Sequence, residues 1–329
     1  MKPFTLYLMG KAGRMAAVVS LVAVLSFTLV SNAPIDPVSA YLGYDRMQIT
    51  PAQEEKIIQR WGLDLPAHQR FFKWLGNTLQ GDLGVSVIYN EPVAEVIQKR
   101  FSASIVLMGA AWLLSGILGF ALGAIAGTFR NSWIDRAIRL YAYTLASTPT
   151  FWIAMVLLVI FSVSLGWFPF CCGGPLGVLP DEVTLLQRLH HLVLPVTALS
   201  VIGVAQIALH TREKMIDVFQ SDFALYAASL GESRTGIALF HGLRHTLLPA
   251  LTLQFASFGE LFGGAVLAEQ VFSYPGLGRT TVEAGVRGDI PLLLGIVMFS
   301  TLFVVTGNII ADILYVTVDP RIKIEEGIS

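Results

Sequence analysis

The sequence predicts an all-α polytopic membrane protein with six transmembrane helices, on three observations. Of its 329 residues 54% are hydrophobic and only 14% charged, where a soluble domain carries about 25% charge. Charge-poor apolar runs recur along the chain, each long enough to cross the hydrocarbon core as a helix, which takes about 20 residues. Lys and Arg collect in the short loops on one side of those runs. The formal net charge of −1 supplies no basic field, which excludes a nucleic-acid partner on electrostatic grounds.

The first run lies between Arg14 and Asp36 and the second between Arg100 and Arg130. The third covers about 140–168, interrupted by Pro149, and the fourth about 191–210. The fifth covers about 246–268 and contains Glu260; the sixth covers about 290–318 and contains Asp312. Ser31-Asn32-Ala33 after an apolar stretch imitates a signal-peptide cleavage site. Pro34 sits where cleavage is disfavoured, and an even number of spans needs this one, so the first helix is expected to be kept.

Orientation follows from the loops. With the N-terminus inside, Lys2, Lys11, Arg14, Arg130, Arg136, Arg139, Arg212, Lys214, Arg234, Arg244, Arg321 and Lys323 all fall on the cytoplasmic side, and the short outer loops hold only Arg188, Arg279 and Arg287. Both termini are then cytoplasmic. The expected organisation is a first segment with span one over 1–33 and an extracytoplasmic helical segment over 34–100. A transmembrane core follows over 101–318, with a cytoplasmic connection at 211–245, and then a tail at 319–329.

The outer segment has local helix signals. Thr50-Pro51-Ala52-Gln53 reads as an N-cap, a proline at the first helical position and a capping-box Gln. An amphipathic helix over EEKIIQRWGL follows, and a second over HQRFFKWLGNTLQ. The inner connection is long for a helix–helix link. Within it, 222–231 mixes small residues with charges and ends a short helix at Gly231. That suits either docking on a cytoplasmic partner or an ordinary surface loop.

Chemistry-bearing motifs are missing. Gly10-Lys11-Ala12 lacks the hydroxyl residue a phosphate loop places on Mg²⁺, and neither His-Glu-x-x-His nor Gly-x-Ser-x-Gly occurs. No catalytic residue, cofactor or metal ligand is assigned. Cys171 and Cys172 share an outer loop with His190 and His191. Adjacent residues point apart and rarely hold one ion together, and a disulfide framework needs spaced pairs. They read as loop cysteines without a role.

Two sets of intramembrane residues stand out. Ala111, Ser115, Gly119, Gly123 and Gly127 recur every four residues on span two, a pattern that lets helix backbones approach closely. Glu260, Asn308 and Asp312 are polar where an acid costs about 2.5–3.5 kcal/mol on insertion scales. They are candidates for a translocation path. Interhelical hydrogen bonding is the alternative, an even one for Glu260 and the better one for Asn308 and Asp312; Glu269 lies at the end of span five.

The inner connection resembles the EAA loop of ABC-importer permeases, in the dipeptide, oligopeptide and nickel branch. Asp222-Phe223, Ala227, Gly231 and Pro249 stand at the family's spacings, and His241 and Arg244 occupy the basic positions of its "RHALRNALLP" element, here FHGLRHTLLP. Thr211-Arg212-Glu213-Lys214-Met215 is similar to the preceding "TRSSM". Pro34-Ile35-Asp36-Pro37, Gly81-Asp82-Leu83-Gly84-Val85-Ser86, the run from Phe272 to Arg279 and Asp319-Pro320-Arg321-Ile322 resemble "PGDP", "GDLGTS", "FSWPGLGR" and "DPRI" in order along the chain. Departures fall at Leu225, Ile35 and His245, and the stretch 258–264 looks somewhat like the nickel-permease version of span five.

The resemblance implies the type I importer fold and one permease half. Its partners would be a homologous second permease, two cytoplasmic ATP-binding subunits, an extracytoplasmic substrate-binding protein and the lipid bilayer of the bacterial inner membrane. It implies ATPase coupling through the 222–249 loop, at Asp222, Ala227, Ala228, Gly231, His241, Arg244 and Pro249. Small residues at Ala227, Ala228, Ser229 and Gly231 would permit close docking, and a bulky residue at Gly231 would uncouple hydrolysis from transport. The cargo would be small peptides, nickel or metal–metallophore complexes. A stand-alone channel or carrier, or a membrane enzyme, is the competing class; the first lacks need of a docking element and the second lacks its catalytic pair.

Overall fold

In a computed structural model, residues 2–32, 65–179 and 181–318 are described. They are helical almost throughout. Among the described residues no strand occurs, only one antiparallel bridge between Val85 and Pro92. The expected helix over EEKIIQRWGL, the segment like "PGDP" and the tail 319–329 lie outside the described residues.

Among the described residues four helices are long and apolar enough to cross a membrane: within α1 (Lys2–Ser31) the stretch Met9–Ser31, α3 (Val93–Thr128), α6 (Leu185–Phe219), and Ile290–Ala311 of α12 (Ile290–Val318). Two bent pairs make up to six. Trp133–Ala146 (α4) meets Thr150–Ser164 at 108°, and Arg234–Ala256 meets Gly259–Val271 at 59°. The first break is the one expected at Pro149. Its ring removes an N–H and pushes the preceding residue out of the α region, so the chain restarts as α5 (Thr150–Leu157) with Pro149 as N-cap, continuing as a π-helical stretch over Leu158–Ser164. The third apolar run is therefore not one straight helix from 140 to 168. The second break falls at Ser257, between α9 (Leu243–Ala256) and α10 (Phe258–Val271). Ser257 Oγ donates back to the Gln254 carbonyl there.

The fourth helix starts earlier than its apolar run because Thr184 and Gln187 form a reciprocal capping box. It also ends later, at Phe219, because the polar residues after His210 stay helical and bury one face.

The chain divides into two compact units, Met1–Ala103 with Gly276–Thr306, and Ser104–Pro275 with Gly307–Ser329. In the first, α2 (Ala67–Leu79) forms where the sequence predicted it, and Phe71 and Trp74 pack against Phe27 of α1, ring centres 5.3 and 5.5 Å away. Val93, Val96 and Ile97 of α3 close a core with Leu277 and Ala284 of α11 (Leu277–Arg287) and Leu292 and Ile296 of α12. Buried Asp289 caps α12 by accepting from the Leu292 N–H (3.1 Å). Its other oxygen accepts from the Ser86 hydroxyl (2.6 Å) and the Ile88 N–H (3.0 Å). The run from Gly81 to Ser86 is thus a turn that delivers Ser86 to that carboxylate.

In the second unit the small residues of α3 meet α6. A Cβ on Gly119 would lie 2.8 Å from Ile207 Cβ, on Gly123 2.4 Å from the Ala208 carbonyl oxygen, and on Gly127 2.5 Å from Met215 Cβ. The residue numbers climb together, so the two helices run parallel at a separation that no side chain fits. Lipid gives no hydrophobic drive between helices, and close backbone approach supplies dispersion contact instead. The same helix meets α9 through a reciprocal pair: Trp112 Nε1–H donates to the Gln254 carbonyl (3.0 Å), and Gln254 Nε2–H to the Trp112 carbonyl (2.6 Å).

Cys171 and Cys172 are bonded to each other. This differs from the reading of two idle thiols. A bond between neighbours closes only its own peptide, so it builds no framework, but it shapes the loop. Cys172 takes φ +76° and donates its N–H to the Phe272 carbonyl (2.9 Å). Beside it Tyr274 is buried; burial and the nearby Glu269 carboxylate push its phenol up to about 12, against the opposing Arg188, so it stays neutral at any physiological pH.

Candidate functional site

The connection after α6 is folded, not a loose loop. Helix α7 (Asp222–Ser229) begins after Ser221. It stops in a Schellman motif: the Glu232 N–H bonds the Ala227 carbonyl (3.2 Å) and the Gly231 N–H the Ala228 carbonyl (3.0 Å). Gly231 sits at φ +89° with open space around it. Its glycine therefore answers a backbone need and not a steric one. A one-turn helix, α8 (Arg234–Ile237), follows with Ser233 as N-cap, then a π-helical stretch Ala238–Gly242 that runs into α9.

The inner face of this element is small and apolar. Ala224 and Ala227 pack with Ile237 and Phe219, and Ala238 packs with Met215, Ala124 and Leu243. The outer face keeps Phe223, Leu225, Tyr226, Leu230, Leu239 and Phe240 exposed, Tyr226 and Leu230 by about two thirds (66% and 68%).

The structure sorts the coupling candidates. Ala227 is buried against the bundle and is unavailable to a partner, whereas Asp222 and Ala228 are exposed. Large side chains, missed by the sequence reading, make up most of the outward surface; their exposure in a stretch outside the apolar runs was the missed signal. His241 lies half-exposed 3.4 Å from Glu232, its ring 6.3 Å from that of Phe223. Arg244 is exposed, and Pro249 stands inside α9, one turn from buried Thr246 and next to buried Ala250.

A second cluster, also missed, lies among the turn before α4, α4 itself and α6. Asp135, with no exposed surface, receives two bonds from Arg212: Nε to Oδ1 at 2.6 Å and Nη2 to Oδ2 at 2.9 Å. Arg139 Nε approaches the same carboxylate at 3.3 Å. The Asn131 N–H donates to Oδ2, and Ser132 caps the helix by accepting from the Asp135 N–H. Arg212 also meets Glu213. Ser132-x-x-Asp135 was readable as a capping pattern; its arginine, 77 residues away, was not.

The intramembrane acids separate. Glu269 is fully buried and accepts from Ser104, which is interhelical hydrogen bonding. Glu260 is exposed and meets Gln206 Nε2 at 3.4 Å. It shares an exposed stripe with Ala256, Gly263, Leu267 and Gln270. Asn308 is exposed on α12, and the side chain of Asp312 lies outside the described residues. Among the described residues no three His, Cys, Asp or Glu are placed to hold a metal ion.

These features define a multi-spanning membrane protein with a packed, apolar-faced element between α6 and α9. Residues 119–324 match the family described as binding-protein-dependent transport system inner membrane component. The chain belongs to that family, and so has the type I ABC permease fold; it is a membrane subunit and not an enzyme. It is similar to the oligopeptide transport system permease protein AppB of Bacillus subtilis, 34% identical over 92% of this chain and 94% of that one. The di/tripeptide transport system permease protein DppB of Pseudomonas aeruginosa is 34% identical, and the glutathione transport system permease protein GsiC of Escherichia coli 33%, each over 92% of this chain and 94% of the relative.

Proposed function

We propose that this chain forms half of the translocation path of an importer for small peptides. It pairs with a homologous permease, receives cargo from an extracytoplasmic binding protein and is driven by two separate ATPase subunits. Both termini are cytoplasmic, as the basic loops suggest. The observation that carries the reading is the exposed apolar face of α7 and the following turn. Phe223, Tyr226 and Leu230 are costly to leave in water, and a protein surface covering them gains about 25 cal/mol for each Å² of apolar area. Ala228 at the same face keeps the backbone accessible. Glu260, with Gln206 beside it, is the lining residue best supported, because an exposed acid at membrane depth needs water or a partner and not lipid. Asn308 and Asp312 are secondary candidates for the same path.

Peptide cargo is preferred over nickel or a metallophore because the similar proteins named above are peptide and glutathione permeases, whereas metal cargo rests on the stretch 258–264 alone. A channel or carrier acting alone would have no use for the α7 face.

In the complex purified with its ATPases, Tyr226→Glu is expected to lose most of the ATPase, and Gly231→Val, strained by about 1–2 kcal/mol in the left-handed region, to lose uptake of a labelled tripeptide. Membranes carrying the unaltered complex should import that tripeptide and not nickel. ATPase retained by Tyr226→Glu would sink the docking reading; nickel import without tripeptide import would sink the cargo.

A further inference from the structure

The α7–α8 element is fastened to the bundle mainly by apolar contacts. Phe219 is shared by the cluster that holds Ala224, Ala227 and Ile237 and by the one around Met215 and Ala124. Apolar contact is non-directional, so it resists separation better than sliding. A directional contact is present as well. Arg234 Nε–H donates to the Thr128 carbonyl at the last residue of α3, while its guanidinium lies 4.7 Å from the centre of the Phe219 ring at the end of α6. One planar side chain therefore holds α8 to the ends of both closely packed helices. Arg suits this better than Lys, because its fork can donate in the plane while its face stacks.

The grip continues. Beyond Thr128 the turn at 129–132 is tied by the Asn131 N–H to Asp135, and Asp135 to Arg212 of α6. The bonds run from α8 to α3, through the turn to α4 and back to α6, whose Phe219 ring lies under Arg234, and Met215 of α6 packs against Ala238 just after α8.

We propose that Arg234 is a positioning residue that makes α7 and α8 move as one body with the inner ends of α3 and α6, so that displacement of α7 reaches the spans instead of being lost in slippage. This rests on the docking reading above for the source of the displacement. Energetic coupling needs an element that both sites bias, and a hinge at α8 would uncouple them.

The test uses the complex with its ATPases and spin labels on Arg130→Cys and, on α8 away from the docking face, Thr235→Cys, both exposed positions. With Arg234 present, one narrow distance is expected, the same with and without vanadate-trapped nucleotide. In Arg234→Ala the distribution should broaden and its mean should move on trapping, while ATP hydrolysis continues. Tripeptide imported per ATP should fall roughly fivefold or more, the lower end of typical coupling factors. Arg234→Lys, which keeps a donor for the carbonyl, should recover most of the narrow distribution. A distance in Arg234→Ala that stays narrow and independent of nucleotide overturns the proposal, and so does loss of the ATPase from that variant, which would make Arg234 a docking residue. If instead Tyr226→Glu keeps the ATPase, the docking reading fails separately, and the nucleotide-free width in Arg234→Ala still shows whether Arg234 fastens the element.

Discussion

Gly123→Val should abolish accumulation of the folded protein. The first added carbon would stand 2.4 Å from the Ala208 carbonyl oxygen and 2.6 Å from Thr211 Cβ. Overpacking of a core costs about 1–3 kcal/mol, occasionally more. The upper end applies here, because the obstacle is helix backbone and cannot rotate aside. Relief would require α3 and α6 to separate, which also loosens the contacts at Gly119 and Gly127. Gly109→Ala, on the same helix with nothing within 4 Å, is the control and should leave stability unchanged. Thermal denaturation of detergent-purified protein, with the yield of inserted protein, compares them. Equal midpoints for the two variants would show that α3 and α6 are not held at backbone contact.

The second large effect is at Asp135. Removing one partner of a buried ion pair typically costs about 3–5 kcal/mol, because the other is left charged and unpaired. Asp135→Ala would strand Arg212, whose side chain is 9% exposed, and would free the turn at Asn131. Glu213 and solvent reach recover part of this for Arg212, so the lower half of that range is expected. A mixed pair distinguishes the causes. Asp135→Leu with Arg212→Met removes both charges and should recover much of the loss, since a well-packed apolar replacement of a buried pair is often neutral or stabilising. Chemical denaturation of the single and double variants gives the coupling energy. A double variant as unstable as the sum of the singles would mean that the two side chains act independently.

Much of the architecture was legible from sequence. Runs of apolar residues have a length, and length against the bilayer thickness decides whether a helix can span. Pro149 announced its own break, since the lost N–H is a property of one residue. Gly231 announced the end of α7 for the same local reason. The joint spacing of Asp222, Ala227, Gly231 and Pro249 pointed to the family that the comparisons bear out. The site was less legible. Ala227, picked for being small, is small because it packs inward against Ile237 and Phe219, while the outward face belongs to Tyr226 and Leu230. Smallness alone does not say which side a residue faces. Of the acids within and at the end of the fifth apolar run, Glu269 is buried and Glu260 is exposed, a difference their positions in the sequence do not encode.

By itself the sequence determined the helical, membrane-spanning character of the chain and the break at Pro149, but not the one at Ser257. These depend on the chemistry of single residues and on sums over neighbours. Tertiary structure decided which glycine meets which carbonyl, that Asp135 closes on Arg212 and Ser86 on Asp289, and which face of α7 is left uncovered. Those outcomes depend on distances between residues far apart in the chain, where a shift of one ångström turns contact into clash, and no local pattern encodes such a distance.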